Sequence, residues 1–239
     1  MSNLSIFLIF ALVNFALIAL VFKLFGKRGI LSYIVLSVIA ANLQVNKVIV
    51  FDFGLFELQA TLGNVMFAGI FLATDLLNEK YGYKEAKKSV HVSIYANLAF
   101  IVLMFISTLF HGLEDSQNVN EALNLFFSIN GGALKAVLVG NFVYFISQSL
   151  DVLVYSKIKE WNPSSKYLWL RNNGSTFISQ FIDSVLVTIG FALVGIFPMA
   201  FVVNIIITTL IVKYIAAIID TPFMYLMSRI RPRSGIDEG

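Results

Sequence analysis

The 239-residue sequence has no cysteine, only two histidines and four prolines, and few charges: Asp, Glu, Lys and Arg together make up 13% of it. Soluble domains run near about 25% charged, so an aqueous surface could not be covered by this chain. The missing cysteine excludes a disulfide scaffold, a thiolate nucleophile and a cysteine-ligated metal. The two histidines, His91 and His111, fall near opposite ends of one apolar run and cannot share a metal ion. No H-E-x-x-H, G-x-S-x-G or G-x-x-x-x-G-K-[ST] pattern occurs, so no zinc protease, serine hydrolase or ATPase signature is present. The expectation is a protein that is not an enzyme and carries neither cofactor nor metal.

What the chain does have is apolar length. Hydrophobic residues form 58% of it, enough for about seven crossings at the ~20 residues each bilayer helix needs. Apolar runs lie at about 4–25, 30–50, 60–79, 86–110, 133–155, 175–196 and 199–227. The first has no basic segment before it and no cleavage site after it, and is expected to be retained. A pI near 9.0 does not point to nucleic acid, because the basic residues sit in short loops between apolar runs. Of the 17 Lys and Arg, 14 follow the first, third, fifth and seventh runs: Lys23, Lys27 and Arg28; Lys80, Lys84, Lys87 and Lys88; Lys157, Lys159, Lys166 and Arg171; Arg229, Arg231 and Arg233. The alternate loops hold Asp52, Glu57, Glu114, Asp115 and Glu121. Basic residues accumulate on the cytoplasmic side, which predicts an all-α polytopic membrane bundle of seven spans, N-terminus outside and C-terminus inside.

Two outer segments are more than loops. Phe51 to Phe56 alternate apolar residues around Gly54, predicting a short hairpin near 51–59. In 119–127, Leu123, Phe126 and Phe127 share a helical face, which reads as an interfacial helix or as a lid over an outward opening.

The informative residues are the polar ones inside the spans. Ionisable groups there cost about 2.5–3.5 kcal/mol each on insertion scales and face a cavity or a partner. Lys47 and Lys135 lie close enough to span ends to snorkel. Lys213 is deeper, with Asp220 two turns later on the same face; the two share one polar seam or each serves another helix. Asp75, Asn78 and Glu79 are spaced i, i+3, i+4. Asn141, Tyr144, Gln148, Asp151 and Tyr155 form a continuous stripe up the fifth run, and Thr176, Gln180, Asp183 and Ser184 repeat the design in the sixth. Asn42 and Asn46 share a face of the second run. Such stripes serve interhelical hydrogen bonding or a binding cavity, and the Gln-to-Asp step of three on both helices favours a cavity. Carboxylates, amides and aromatic faces suit a flat heterocycle with a guanine-like edge, and also other polar solutes or cations.

Ala73 to Gly82 (ATDLLNEKYG), Ser147 to Val152 (SQSLDV), Leu168 to Thr176 (LWLRNNGST) with Ser179 to Asp183 (SQFID), Lys213, and Asp220-Thr221-Pro222 resemble the queuosine precursor transporter family, also called vitamin-uptake-like transporters. The resemblance covers about residues 30–228. It implies a six-helix transporter core over 30–228, an additional N-terminal transmembrane helix and basic loop over 1–29, and a cytoplasmic tail over 229–239. It further implies a multi-pass protein of the bacterial inner membrane that imports 7-cyano-7-deazaguanine, 7-aminomethyl-7-deazaguanine or queuine for tRNA modification. The partners expected are that small molecule and the lipid bilayer, not nucleic acid, with a homo-oligomer possible. Substrate binding is expected at Asn42, Asn46, Asp75, Gln148, Asp151, Gln180 and Asp183, and gating or coupling at Asn78, Glu79, Arg171, Asn172, Lys213 and Asp220. Two alternatives stay open: a substrate-capturing subunit that needs a separate ATP-driven partner, and an integral-membrane enzyme using Asp75 and Glu79.

Overall fold

The computed structural model describes residues 2–52, 54 and 57–233. Among the described residues the chain forms helices α1 (Asn3–Gln44), α2 (Gly63–Tyr81), α3 (Tyr83–Ser107), α4 (Gln117–Phe127), α5 (Gly132–Trp161), α6 (Leu168–Leu193) and α7 (Val202–Arg229), with one antiparallel ribbon, β1 (Val48–Asp52) and β2 (Glu57–Thr61), between α1 and α2. A backbone in hydrocarbon must satisfy its own hydrogen bonds, which explains why Val- and Ile-rich stretches are helical here. Helices α1, α3, α5, α6 and α7 are long and apolar enough to cross a membrane, so the fold is an all-α membrane bundle.

Helix α1 is two helices in one. Gly26 adopts φ 54°, ψ −139°, a conformation almost confined to glycine, and the chain doubles back there. Tyr33 Oη donates to Asn14 Oδ1 at 2.7 Å, although 19 residues of straight helix would separate them by about 28 Å. Phe15, Ile18 and Phe22 from the first arm enter the same hydrophobic cluster as Ile30, Ile34 and Val38 from the second. The first arm is therefore built into the core.

Helix α2 occupies the centre. At 19 residues it is too short to leave Asp75, Glu79 and Lys80 outside a membrane-length stretch, as the longer α3 and α5 do with most of their charges, yet it is buried from Gly63 through Asn78 apart from Phe67 and Ala68. Helices α1, α3, α5, α6 and α7 all pack against it. Asn14 Nδ2 donates to Val65 O at 3.0 Å, and Gly69 lies so close to the Asn14 amide that a Cβ there would meet it at 2.3 Å.

The basic segments converge on one end of the bundle. Arg233 N donates to Lys23 O, Lys80 Nζ to Ile230 O, Lys27 pairs with Glu85, and Lys159 reaches Glu79. The ribbon lies at the other end, where Asn3 Nδ2 holds Val50 O at 2.8 Å. The expected hairpin is present with strands extending to 48 and 61; the alternation at Phe53, Leu55 and Phe56 lies outside the described residues. Phe127 of α4 buries itself against Phe100 of α3, ring centroids 5.7 Å apart.

A side chain at residue 26 would meet the strain that glycine avoids, about 1–3 kcal/mol. Gly26→Ala is expected to lower the thermal unfolding midpoint in detergent by several degrees, and an unchanged midpoint would show that the fold-back does not need this conformation.

Candidate functional site

Three layers of polar side chains run up the inside of the bundle. The lowest lies at the basic end. Arg171, at the start of α6, is 0% exposed, and its Nε and Nη2 hold both oxygens of Glu79 at 3.0 and 2.7 Å. Its Nη1 donates to Asn162 O at 2.9 Å and Ser164 O at 3.1 Å, the loop between α5 and α6. Tyr155 Oη adds a bond to Glu79 at 2.9 Å, and Lys159 Nζ donates to the backbone carbonyls of Asn78 and Glu79 at 3.1 and 2.7 Å. This planar two-point pairing is the geometry in which a guanidinium holds a carboxylate most strongly. It ties the end of α2 to α5 and α6.

The middle layer is a pool of acceptors. Asp75 lies 1% exposed beside Asp151, which is 0% exposed and accepts from Ser179 Oγ at 2.9 Å. Gln148 Nε2 donates to Thr74 Oγ1 at 2.7 Å, and Asn172 Nδ2 to Asp220 Oδ1 at 2.9 Å. Both Asp75 oxygens, Asp151 Oδ2, Gln148 Oε1, Asn172 Oδ1 and Gln180 Oε1 are buried without a donor.

The upper layer is the floor of a cavity. It has a volume of about 650 Å³ and lies at the ribbon end, walled by α1, α2, α5, α6, α7 and the ribbon. That size falls within the ordinary range for small-molecule sites. Phe67, Phe191, Phe197 and Phe201 supply apolar wall, and Asn42, Gln59, Asn64, Thr188 and Asn204 supply polar groups. At its base Lys213 Nζ pairs with Asp183 Oδ2, while Asp183 Oδ1 accepts from Ser147 Oγ at 2.9 Å. Beneath Lys213 the space narrows to a chamber of about 10 Å³, lined by Phe71, Thr176, Gln180 and Asp220 among others, at the limit for one water. Lys213, Asn64 and Phe67 line both spaces.

The predicted residues thus sort by level. Asn42 and Asp183 reach the cavity, Gln180 and Asp220 the chamber, and Asp75, Gln148 and Asp151 the core beneath. Asn46 is spent on the Asn42 and Leu43 carbonyls at the end of α1. Asn78 is spent on Val152 O and Ser156 Oγ. Lys213 and Asp220, left open as one seam or two, each serve a different residue of α6. The upper part of the α5 stripe turns to α3: Asn97 Nδ2 bonds Asn141 Oδ1 at 2.6 Å, and Ser93 meets Tyr144 Oη at 3.1 Å. No described residue of helix α4 lines the cavity.

Sequence reasoning did not single out Asn64, Thr188, Asn204 or Thr208 as lining residues. The polar residues Asn204, Thr208, Thr209 and Lys213 along α7 were the available signal. Lys159 was counted as a loop charge, yet it reaches Glu79.

Comparison with known proteins identifies a family and two relatives. A family model described as "Putative vitamin uptake transporter" matches residues 61–227. A protein of Bacillus subtilis (strain 168) named "Probable queuosine precursor transporter" is 39% identical over 233 residues, 97% of each chain. One of Haemophilus influenzae with the same name is 28% identical over 127 residues, 52% of this chain and 51% of its own. No solved structure matches.

Removing one partner of a buried ion pair costs about 3–5 kcal/mol because the other is stranded. Arg171→Ala should therefore unfold at a markedly lower temperature than the native protein, with Arg171→Lys between them because lysine cannot span both oxygens of Glu79 and the loop carbonyls together. Equal midpoints for all three would show that the Arg171–Glu79 contact holds nothing together.

Proposed function

The chain belongs to the vitamin uptake transporter family, a family of multi-pass proteins of the bacterial plasma membrane, and we propose that it imports a 7-deazaguanine precursor of queuosine through the cavity at the ribbon end. The observation that carries this reading is the pairing of an open cavity at one end with the buried Arg171–Glu79 closure at the other. We place the basic end in the cytoplasm by the asymmetry of Lys and Arg. With α1 counted as two spans and α2 as one, the bundle then has seven, N-terminus outside and C-terminus inside, and the cavity faces outward. The described structure is in this reading a transporter poised to receive substrate.

The floor of the cavity suits such a substrate. Asp183 can accept the paired N1–H and 2-amino donors of a guanine-type edge, which Lys213 and Ser147 now occupy in part. Asn64 Nδ2 is buried without an acceptor and would meet the ring carbonyl. The phenylalanines of the wall would cover the faces of the ring. Binding at Asp183 would release Lys213, which stands between cavity and chamber, so the ligand itself would loosen the barrier to Gln180, Asp220 and the core carboxylates. The sequential levels make Asp183 and Asn42 the first contacts, with Asp75, Gln148 and Asp151 below them.

The direct test is growth of a queuosine-synthesis-deficient bacterium on each precursor, with this protein as sole importer and tRNA queuosine as readout; no queuosine from any of the three would overturn the proposal. Asn64→Ala should raise the half-saturating concentration about tenfold, the loss expected for one hydrogen bond of ~1.4 kcal/mol, with the amount of protein in the membrane unchanged. Asp183→Asn should reduce uptake more severely.

Topology is testable without background because the native chain has no cysteine. On intact cells a membrane-impermeant maleimide should label Gln117→Cys and leave Lys157→Cys unlabelled; the reverse pattern would invert the orientation.

A further inference from the structure

A set of buried oxygens lacking donors lies beneath the cavity. Asp75 is 1% exposed, and neither carboxylate oxygen has a donor. Asp151 is 0% exposed, takes Ser179 Oγ on Oδ1 and leaves Oδ2 without one. Two hydrogen bonds between α2 and α5 fix the pair at one level. On one side Gln148 Nε2 donates to Thr74 Oγ1 at 2.7 Å, and on the other Asn78 Nδ2 donates to Val152 O at 3.0 Å. The two carboxyl groups come within hydrogen-bonding reach of each other. As carboxylates they can only repel, and two such groups in contact away from water cannot both be ionised.

Among the described residues no Lys or Arg pairs with either carboxyl group, and the groups around them are other acids and hydroxyls. Glu79 follows one turn along α2, Tyr155 comes from α5 and Asp220 from α7. Helix α6 brings the hydroxyls of Ser175, Thr176 and Ser179. Helix α1 meets α2 through the apolar cluster of Phe22, Ile30 and Ile34, its Tyr33 turned to Asn14. Helix α3 brings Ser93 and Asn97, which bond α5. The nearby cations are engaged elsewhere: Arg171 and Lys159 on Glu79, Lys213 on Asp183. Gln148 is 0% exposed, and its Oε1 adds a further acceptor without a donor.

We propose that Asp75 and Asp151 hold one exchangeable proton between them and that this pair couples import of the substrate to an inward proton. The proposal rests on the import reading above. The step is a simple transfer: both groups are ionised only while one end is open to water, hydronium from the outer cavity then gives up its proton to the pair, the new O–H donates to the other carboxylate, and the proton leaves as hydronium when the cytoplasmic side opens. No substrate bond forms or breaks, and each cycle moves one positive charge inward in addition to any charge on the substrate. Asp220 lines the chamber under Lys213, and in this proposal it is the carboxyl group between the cavity and the pair. On the other side Glu79, one turn from Asp75, is held by Arg171. Release inward then requires the basic end to open, which keeps the proton from leaking while the cavity faces outward.

The test uses the full-length protein, purified and placed in liposomes with no ATPase, and labelled 7-cyano-7-deazaguanine, 7-aminomethyl-7-deazaguanine or queuine. With the interior at pH 7.5, moving the exterior from pH 7.5 to 6.0 is expected to raise initial uptake at least fivefold, and a protonophore should abolish the rise. A sodium gradient at equal pH should have no effect. Asp151→Asn and Asp75→Asn, whose amides mimic the protonated acid, should bring the acid-to-neutral ratio of uptake to about one. Active exchange of labelled for unlabelled substrate with no response to pH, stimulation by sodium in its place, or a native ratio in both variants would overturn the coupling. If one variant fails to reach the membrane, the native pH response and the other variant decide. Absence of exchange for all three compounds would remove the import reading itself, and the coupling with it.

Discussion

The two-point contact between Arg171 and Glu79 is the constraint on which the rest of the bundle depends. A carboxylate and a guanidinium cannot stand alone in a membrane protein's interior, so α2 and α6 must bring them together at one depth and in one rotation. Once Glu79 is fixed there, the 3.6-residue repeat sends Asp75 one turn up and Thr74 beside it. The parallel run of α5 then sets Gln148, Asp151 and Tyr155 opposite. Arg171 also takes the Asn162 and Ser164 carbonyls, fixing the loop that starts α6. Register along α6 follows from that start and places Ser179 on Asp151 and Asp183 against Lys213 of α7.

This explains why the short helix that carries Asp75 and Glu79 lies at the centre while the five longer apolar helices lie around it. Helix α2 is covered by α1, α3, α5, α6 and α7, and the fold-back of α1 at Gly26 lets two arms cover it where a straight 42-residue helix would present one. The large exposed side chains belong mainly to the covering helices, including Leu12 and Leu36 of α1, Leu103 of α3, Phe142 of α5 and Ile218 of α7. Hydrocarbon can solvate those, whereas it cannot solvate Glu79.

The layers were legible in the sequence to the extent that spacing and charge carry them. The distribution of Lys and Arg marks the segments that converge on one end, and the change of run between 25 and 30 coincides with the bend at Gly26. Steps of three and four identify the polar faces of α5 and α6. Spacing gives a face and not the helix it meets, which is why Asn141 and Tyr144, on the same stripe as Asp151, serve α3 and not the site. The same limit hid Lys159, whose long stem lets a residue from the loop-charge count fold back on Glu79. Asn64 escaped notice because a single asparagine at the first turn of α2 is common; what distinguishes it is the unpaired amide facing a cavity, a property of three-dimensional packing.

The balance of charge inside the bundle connects the layers. Glu79, Asp75, Asp151, Asp220 and Asp183 face Arg171, Lys159 and Lys213. The cations stand at the two ends of the column, on Glu79 and on Asp183, so the middle layer has only amides and hydroxyls. That arrangement would be a poor one if the middle were purely structural, since replacing an unpaired carboxylate by an apolar side chain usually leaves a bundle more stable. It suits the coupling proposed above, in which each donor that arrives removes a standing cost. A ligand or proton acts on such an equilibrium only through its different affinity for the two states. In the coupling proposed above, the acceptors left without donors near the Arg171–Glu79 contact are the source of that difference.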